Sequence, residues 1–136
     1  MEKISPEKYR QILEGIELQN ILLSEIKASV KHELFTEKMK INIKDESEYE
    51  FKDDKFIVIN KYVLTSRNNK QKKNALKIEA TFKIFFESEN EINDGFFEIY
   101  REISLPLNIW PYFRELVNSI TARMNIPPLT LPLLKR

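Results

Sequence analysis

The sequence of 136 residues contains no cysteine, one histidine and two glycines. Without cysteine, the chain can form no disulfide, no thiolate zinc site and no cysteine nucleophile. Because His32 is the only histidine, no histidine-based metal cluster or serine triad can be built within one chain. Gly15 and Gly95 stand far apart, so no glycine-rich phosphate loop is present. These absences predict a protein that is not an enzyme and that has no cofactor and no bound metal.

The charges are almost balanced, with 22 basic and 21 acidic residues and a net charge of +1. This balance offers nothing that would attract a polyanion. A basic cluster lacks the interleaved aromatic residues on which single-stranded nucleic acids stack, and no nucleic-acid partner is predicted. This cluster comprises Arg67, Lys70, Lys72, Lys73 and Lys77.

Long apolar runs are also missing. No stretch approaches the roughly 20 apolar residues that span a bilayer, so no membrane insertion is predicted. The first residues contain no apolar segment of the kind found in secretory signals. Together with the absence of cysteine, this pattern predicts a cytoplasmic protein.

The first part of the chain predicts a short helix followed by a strand. Ser5 is a suitable helix N-cap, and Gly15 is a suitable end. From Ile16 to about Lys31 the apolar residues alternate as in a strand, with a phase slip near Asn20 that is typical of a β-bulge. One continuous helix from Ser5 to about Lys31 is the alternative, because some of the same residues also fit a helical stripe.

Residues 32–54 are polar and charged, and they predict a long connection that carries one short strand around Ile41. The connection includes an acidic run from Asp45 to Asp54, which lacks the spacing of a calcium loop and is interpreted as solvated.

Two strands are predicted next. The first, Lys55 to Arg67, has apolar residues on both faces, so the sheet should be covered on both sides there. After a polar hairpin tip, Ala75 to Glu87 alternates strictly and predicts a strand with one apolar face.

The last part of the chain predicts two helices. Asn93 is expected to cap the first, which Leu105–Leu107 interrupts. The second should begin at Asn108 as N-cap, with Pro111 in the first turn, where a missing N–H costs nothing. Its expected apolar stripe is Ile109, Tyr112, Phe113, Leu116, Val117, Ile120 and Met124. Strands followed by helices indicate an α+β fold with helices on one face of the sheet.

The segment that opens this second helix resembles the long helix of the SecB export-chaperone family. In that family the helix opens with Asn-Ile-aromatic-Pro-Tyr-x-Arg-Glu and closes with a basic residue and a Pro- and Leu-rich segment. The matching residues here are Asn108, Ile109, Trp110, Pro111, Tyr112, Arg114, Glu115, Arg123, Pro127, Pro128, Leu129 and Leu131. The resemblance implies one SecB-like domain over residues 1–136. Its antiparallel four-stranded sheet would carry a long C-terminal helix on one face, besides a short N-terminal helix.

The resemblance also implies a function and a site. It implies an ATP-independent holdase that binds unfolded or partly folded client proteins and assembles as a dimer of dimers. Clients would lie in grooves between the loop after the first strand and the loop after the long helix. The client-binding candidates are Phe35, Tyr49, Phe51, Trp110, Ile126, Leu129 and Leu131. Exposed apolar residues in connecting segments favour a partner site as well. Completion of the core or of an oligomer interface is the alternative for the same residues.

Family members that deliver clients to the export motor present acidic residues on the sheet. Here the corresponding strand keeps Glu79, while Glu25 lies one place away from the expected first-strand position. Glu25 and Glu79 are therefore the candidate docking residues. The departure favours SecB-like proteins that guard the antitoxin of a toxin–antitoxin pair. A subunit dedicated to one such partner is the first alternative function, and a small-ligand pocket between sheet and helix is the second.

Overall fold

The computed structural model describes residues 3–70 and 72–126 of the chain. This part folds into a four-stranded antiparallel sheet and three α-helices, which confirms the α+β prediction. In chain order the elements are α1 (Pro6–Glu14), β1 (Ile16–Val30), β2 (Met39–Lys52), β3 (Lys55–Asn68), β4 (Leu76–Ser88), α2 (Asp94–Ile103) and α3 (Leu105–Arg123). None of the helices in this part is both long enough and apolar enough to cross a membrane.

The N-terminal helix and first strand follow their sequence signals. The Ser5 side chain accepts a hydrogen bond from the backbone N–H of Lys8 over 3.1 Å and so caps α1. The phase slip near Asn20 is a break in register against β4, and a second break follows Leu23. The helix-then-strand prediction is therefore confirmed over the continuous helix, because β1 pairs with β4 along its whole length.

The strand order is β1-β4-β3-β2, so the first two strands in the chain lie at opposite edges of the sheet. The chain crosses between these edges through a 3₁₀ turn at His32–Leu34. Nε2 of His32 lies 2.7 Å from the carbonyl oxygen of Met124, so the crossing segment is held against the end of α3. Both edges keep one side on which no other strand of the described part pairs.

The prediction of a long connection over residues 32–54 is wrong, since Met39–Lys52 is a full edge strand. It pairs with β3 from Met39 opposite Asn68 to Lys52 opposite Lys55. A two-residue turn joins the strands, with Asp53 and Asp54 at φ 49° and 62°. Most of the acidic run therefore lies in the strand, not in a solvated loop.

The helices lie on one face of the sheet, and the residues that alternate toward them form the core. On β3 and β4 these residues are 5% exposed or less: Phe56, Val58, Tyr62, Leu64, Leu76, Ile78, Ala80, Phe82, Ile84 and Phe86. Ile57, Ile59 and Val63 point to the opposite face and are only partly buried. No helix of residues 3–70 and 72–126 covers that face, so the expectation of two covered faces is wrong.

Helix α3 begins four residues earlier than predicted. Ser104 is its N-cap, Pro106 occupies the first turn, and Pro111 lies inside the helix. The backbone bond that Pro111 cannot make would have reached the carbonyl of Leu107, a residue 51% exposed on the outer side. Asn108 does not cap the helix, because it lies inside it. Its Nδ2 donates to the hydroxyl of Tyr100 over 2.7 Å.

The buried stripe of α3 is narrower than the predicted one. It follows a four-residue spacing through Leu105, Ile109, Phe113, Val117 and Thr121. Tyr112 was expected in the stripe but is 50% exposed.

Candidate client-binding groove

The helices cover the inner strands of the sheet more fully than the edge strands. Leu18, Leu23 and Ile26 of β1 face the helical side, because they pair with Phe86, Phe82 and Ala80. They nevertheless expose 48%, 40% and 37% of their surfaces, and we call them the β1 strip.

On the opposite edge, Ile41 of β2 also faces the helical side, opposite Ser66, and is 45% exposed. The described residues therefore leave apolar surface uncovered on both flanks of the helical layer.

A cavity of about 170 Å³ lies between β2 and the start of α3, and we call it the β2 groove. The sheet forms one wall and the α2–α3 junction forms the other. The lining residues are Ile43, Asp45, Asn60, Tyr62, Arg101, Leu105, Pro106, Ile109 and Trp110.

Aromatic packing sets the helix-side border of the groove. The ring of Tyr62 stacks on Phe113 with centroids 4.3 Å apart, and Trp110 meets Tyr62 edge-on at 5.9 Å. Burial raises the pKa of Tyr62, and the negative charge of Asp45 raises it further. The Tyr62 hydroxyl is therefore protonated at neutral pH and can donate a hydrogen bond.

Charged groups occupy the mouth of the groove. Arg101 forms an ion pair with Glu98 over 3.0 Å and so is already partly engaged. Asp45 is exposed on β2, opposite Tyr62. The groove therefore combines an apolar wall with a carboxylate, a guanidinium and a phenol.

Tyr49 packs where β2 meets α2. Its ring lies 4.6 Å from Phe97 and 6.0 Å from Phe56, and its hydroxyl donates to Oδ1 of Asp94 over 2.6 Å. Burial and Asp94 together raise the pKa of Tyr49 to about 12. Phe51 is partly buried on the same strand. Both residues therefore lie on a strand, not in the loop where the sequence placed them.

The other client-binding candidates are more scattered. Trp110 lines the β2 groove. Phe35 follows the 3₁₀ turn and packs, partly buried, against the core. Ile126 is partly buried beyond the end of α3. Leu129 and Leu131 lie outside the described residues.

The groove also contains residues that sequence reasoning missed, namely Ile43, Asp45, Asn60 and Arg101. One signal was present for Asn60, which interrupts the inward-facing series of β3 with a polar side chain. The signal for Asp45 was hidden, because β2 was interpreted as a loop.

The two candidate docking acids lie on the face of the sheet away from the helices. Glu25 is exposed on β1, opposite Thr81. Glu79 lies 3.7 Å from Nζ of Lys61 and 4.0 Å from Nζ of Lys77. Two lysines therefore offset the charge that Glu79 would offer to a partner.

Metal ligands do not gather in the described ranges. No group of three or more acidic or histidine side chains there could hold a metal ion.

Comparison with known proteins shows a likeness in fold. No protein-family model and no curated protein matches the sequence. Among solved structures, the fold is similar to the Mycobacterium tuberculosis SecB-like chaperone Rv1957, solved in complex with a ChAD peptide from the Rv1956 HigA1 antitoxin. The TM-score is 0.80 at 20% identity, over 94% of this chain and 97% of that chain. The SecB-like fold predicted from the helix-opening segment is thereby confirmed.

A protein of unknown function from Streptococcus agalactiae overlaps more loosely. Its TM-score is 0.49 at 12% identity, over 87% of this chain and 97% of that chain.

Proposed function

We propose that this protein is an ATP-independent chaperone that holds unfolded or partly folded polypeptides. The observation that carries the proposal is the apolar surface left open on both flanks of the helical layer, at the β1 strip and along the β2 groove. Exposed apolar surface of this kind normally marks a partner site. The SecB-like fold supports the same reading.

The edge position of β2 suits an extended client. In the described part of the chain β2 pairs only with β3, so its other side offers unpaired backbone N–H and C=O groups. An unfolded segment can add there as a further strand, using main-chain hydrogen bonds that do not depend on sequence. Alternate side chains of that segment would then point toward the groove. Release would follow from transfer or folding of the client, since the sequence has no nucleotide loop.

The proposed client contacts are the seven candidates from the sequence. Trp110 has the strongest support because it already borders the groove. Tyr49 and Phe51 lie on the same edge strand as two groove residues, Ile43 and Asp45. Phe35 and Ile126 remain proposals by position, as do Leu129 and Leu131.

Assembly as a dimer of dimers is also part of the proposal. β1 is a 15-residue edge strand whose β1 strip is exposed. Natural proteins usually cover or blunt an edge of this kind, and pairing with a second copy is one way to do so. We propose that oligomer contacts bury the β1 strip and leave the β2 groove for clients.

A subunit dedicated to one antitoxin is the second candidate. The similar Rv1957 was solved with an antitoxin peptide, which supports this alternative. The lysines around Glu79 disfavour docking on the export motor through that acid. We propose a cytoplasmic site of action in either case. A small-ligand pocket between sheet and helix is less favoured, because the groove there holds about 170 Å³ whereas ligand pockets usually hold about 300–1,000 Å³.

The test is suppression of aggregation. A denatured test protein is diluted into buffer with stoichiometric amounts of this protein, and light scattering is followed. A general holdase slows the rise in scattering, whereas no effect at several-fold excess contradicts that function. A dedicated subunit would leave scattering unchanged but bind the product of a neighbouring antitoxin gene.

The groove is tested by a matched pair of variants. Trp110→Ala is expected to weaken suppression, because it removes the aromatic border of the groove. Tyr112→Ala is the control, since it removes an exposed aromatic residue two positions along the same helix. Circular dichroism checks that both variants fold. Equal loss in the two variants would show that the groove is not the site.

A further inference from the structure

Two asparagines of β3 differ sharply in their hydrogen bonding. Asn60 and Asn68 both face the helical side and are 0% and 6% exposed. Nδ2 of Asn68 donates to the carbonyl of Leu34 over 2.8 Å, and Oδ1 accepts from the N–H of Lys70 over 2.9 Å. In residues 3–70 and 72–126, neither Nδ2 nor Oδ1 of Asn60 has a hydrogen-bond partner.

An unpartnered amide is costly at a fully buried position, because it loses its bonds to water and gains none in return. The Asn60 amide lies close enough to the Tyr62 hydroxyl to hold the Tyr62 pKa below the value that burial alone would give. The contact falls outside normal hydrogen-bond geometry, so Tyr62 does not satisfy the amide. Asn60 is also part of the lining of the β2 groove. The amide is thus placed where a ligand in the groove could supply what it lacks.

We propose that the β2 groove recognises a carboxamide side chain, asparagine or glutamine, carried by an extended client segment. This inference rests on the proposed client-binding function and names the chemistry that the groove selects. A carboxamide has one acceptor oxygen and an NH₂ donor group. Both Asn60 atoms are fully buried, so an entering carboxamide must first displace lining side chains; it can then accept from Nδ2 of Asn60 and donate to Oδ1.

The remaining lining residues suit the same ligand. Asp45 can accept the second N–H of the client amide, and Arg101 is already paired with Glu98. A client carboxylate would face the charge of Asp45. A hydrocarbon side chain would leave Asn60 unpartnered. The 170 Å³ of the groove matches one side chain, since a cavity of about 150 Å³ accommodates benzene.

The edge of β2 explains how the side chain arrives. A client strand paired with β2 presents every second side chain to the helical side of the sheet. Ile43 and Asp45 lie on this strand and face that side, opposite Leu64 and Tyr62. Ser47 lies opposite Asn60, so a side chain that crosses β2 between Asp45 and Ser47 would be directed toward Asn60 on the neighbouring strand.

The experiment uses one extended host peptide with glutamine, methionine or glutamate at its central position. Methionine matches the length of glutamine but has no amide. Trp110 is the only tryptophan in the chain and borders the groove, so its emission reports binding. The side-chain NH₂ signal of Asn60 in a ¹H–¹⁵N spectrum reports the contact itself. We expect the glutamine peptide to bind about tenfold more tightly than either analogue and to shift the NH₂ signal.

Two variants complete the test. Asn60→Leu should abolish the preference for glutamine over methionine. Asn42→Leu makes the same replacement on the outer face of β2 and should preserve the preference. If Asn60→Leu fails to fold, the peptide series and the NH₂ signal on the unaltered protein still decide the question.

Equal affinities for the glutamine and methionine peptides would overturn the inference. An Asn60 NH₂ signal that does not shift when the glutamine peptide is added would also overturn it. In those cases Asn60 does not select the client side chain. If aggregation is still suppressed, the general chaperone proposal stands and only the carboxamide inference is lost. If neither peptides nor denatured proteins bind, both are lost.

Discussion

The hydroxyl of Tyr49 donates a hydrogen bond to Oδ1 of Asp94 over 2.6 Å, and so joins edge strand β2 to the first turn of α2. The Tyr49 ring also contacts Phe97 of that helix, with centroids 4.6 Å apart. A carboxylate in the first turn of a helix is favoured by the helix dipole. This contact therefore anchors the C-terminal part of β2 to α2. We assign the unpaired edge of β2 to clients.

Replacing Tyr49 by phenylalanine should keep the ring packing and remove the hydrogen bond. We expect the free energy of unfolding to fall by about 1 kcal/mol, the usual net value of such a bond. Chemical denaturation measures the change. Tyr112→Phe is the control, because Tyr112 is half exposed and its replacement should leave stability unaltered. Equal stability of Tyr49→Phe and the unaltered protein would contradict the anchoring role.

The protein should lose stability in alkaline solution above pH 10. Burial raises the pKa of Tyr9, Tyr49, Tyr62 and Tyr100 above the ordinary 10.0, to about 12 for Tyr49. As the pH rises, the unfolded chain therefore loses its tyrosine hydroxyl protons at a lower pH than the folded chain does. The stability that these protonated hydroxyls contribute is complete only below pH 10 and is lost as the pH rises further. Denaturant midpoints between pH 8 and pH 12 measure the loss. Tyr49→Phe should show a shallower decline between pH 10 and pH 12, and an identical slope would count against this cause.

Asn60→Leu should stabilise the protein by about 1–2 kcal/mol, because it replaces an unpartnered buried amide by an apolar group of similar size. Asn68→Leu is the matched control on the same strand and face. Asn68→Leu should lower the free energy of unfolding by about 1–3 kcal/mol, because the carbonyl of Leu34 and the N–H of Lys70 lose the hydrogen bonds that Asn68 makes to them. Urea unfolding measures both. The same sign for the two variants would show that Asn60 is satisfied in solution.

The β1 strip is tested by changing its central leucine. Leu23→Lys places a charge on the helical side of β1, where Leu23 is 40% exposed, so the fold should tolerate it. We expect light scattering to report a smaller molar mass than that of the proposed tetramer. Leu22→Lys is the control, because Leu22 is the adjacent residue and faces the other side of the sheet, opposite Lys83. An unchanged mass for Leu23→Lys would remove the β1 strip from the interface.

Some elements could be predicted because their signals are local. Ser5 caps α1 through a bond to a residue three positions away, and strict alternation identifies β4. The bulge near Asn20 is visible as a phase slip in the sequence itself. Each of these features depends on neighbours in the chain, so the sequence alone is enough.

Other elements could not be predicted because distant residues decide them. β2 carries the polar residue Asp45 on the side that faces the helices. Because the helices do not cover this edge of the sheet, Asp45 stays in contact with solvent, and β2 lacks the alternation of apolar and polar residues that identifies a strand. Helix α3 starts before Asn108, whose Nδ2 instead bonds to Tyr100, and the N-cap position falls to Ser104, whose side chain makes no capping hydrogen bond.

By itself, the sequence determined the α+β class, the helix-opening segment of a SecB-like fold and the first strand with its bulge, since short-range periodicity and capping chemistry are written along the chain. Only the tertiary structure decided that β2 is an edge strand, that Trp110 borders a groove there and that Asn60 lines it without a hydrogen-bond partner among the described residues. The reason is physical: burial and hydrogen-bond satisfaction depend on which strands the helices cover, and that coverage follows from packing between residues far apart in the chain.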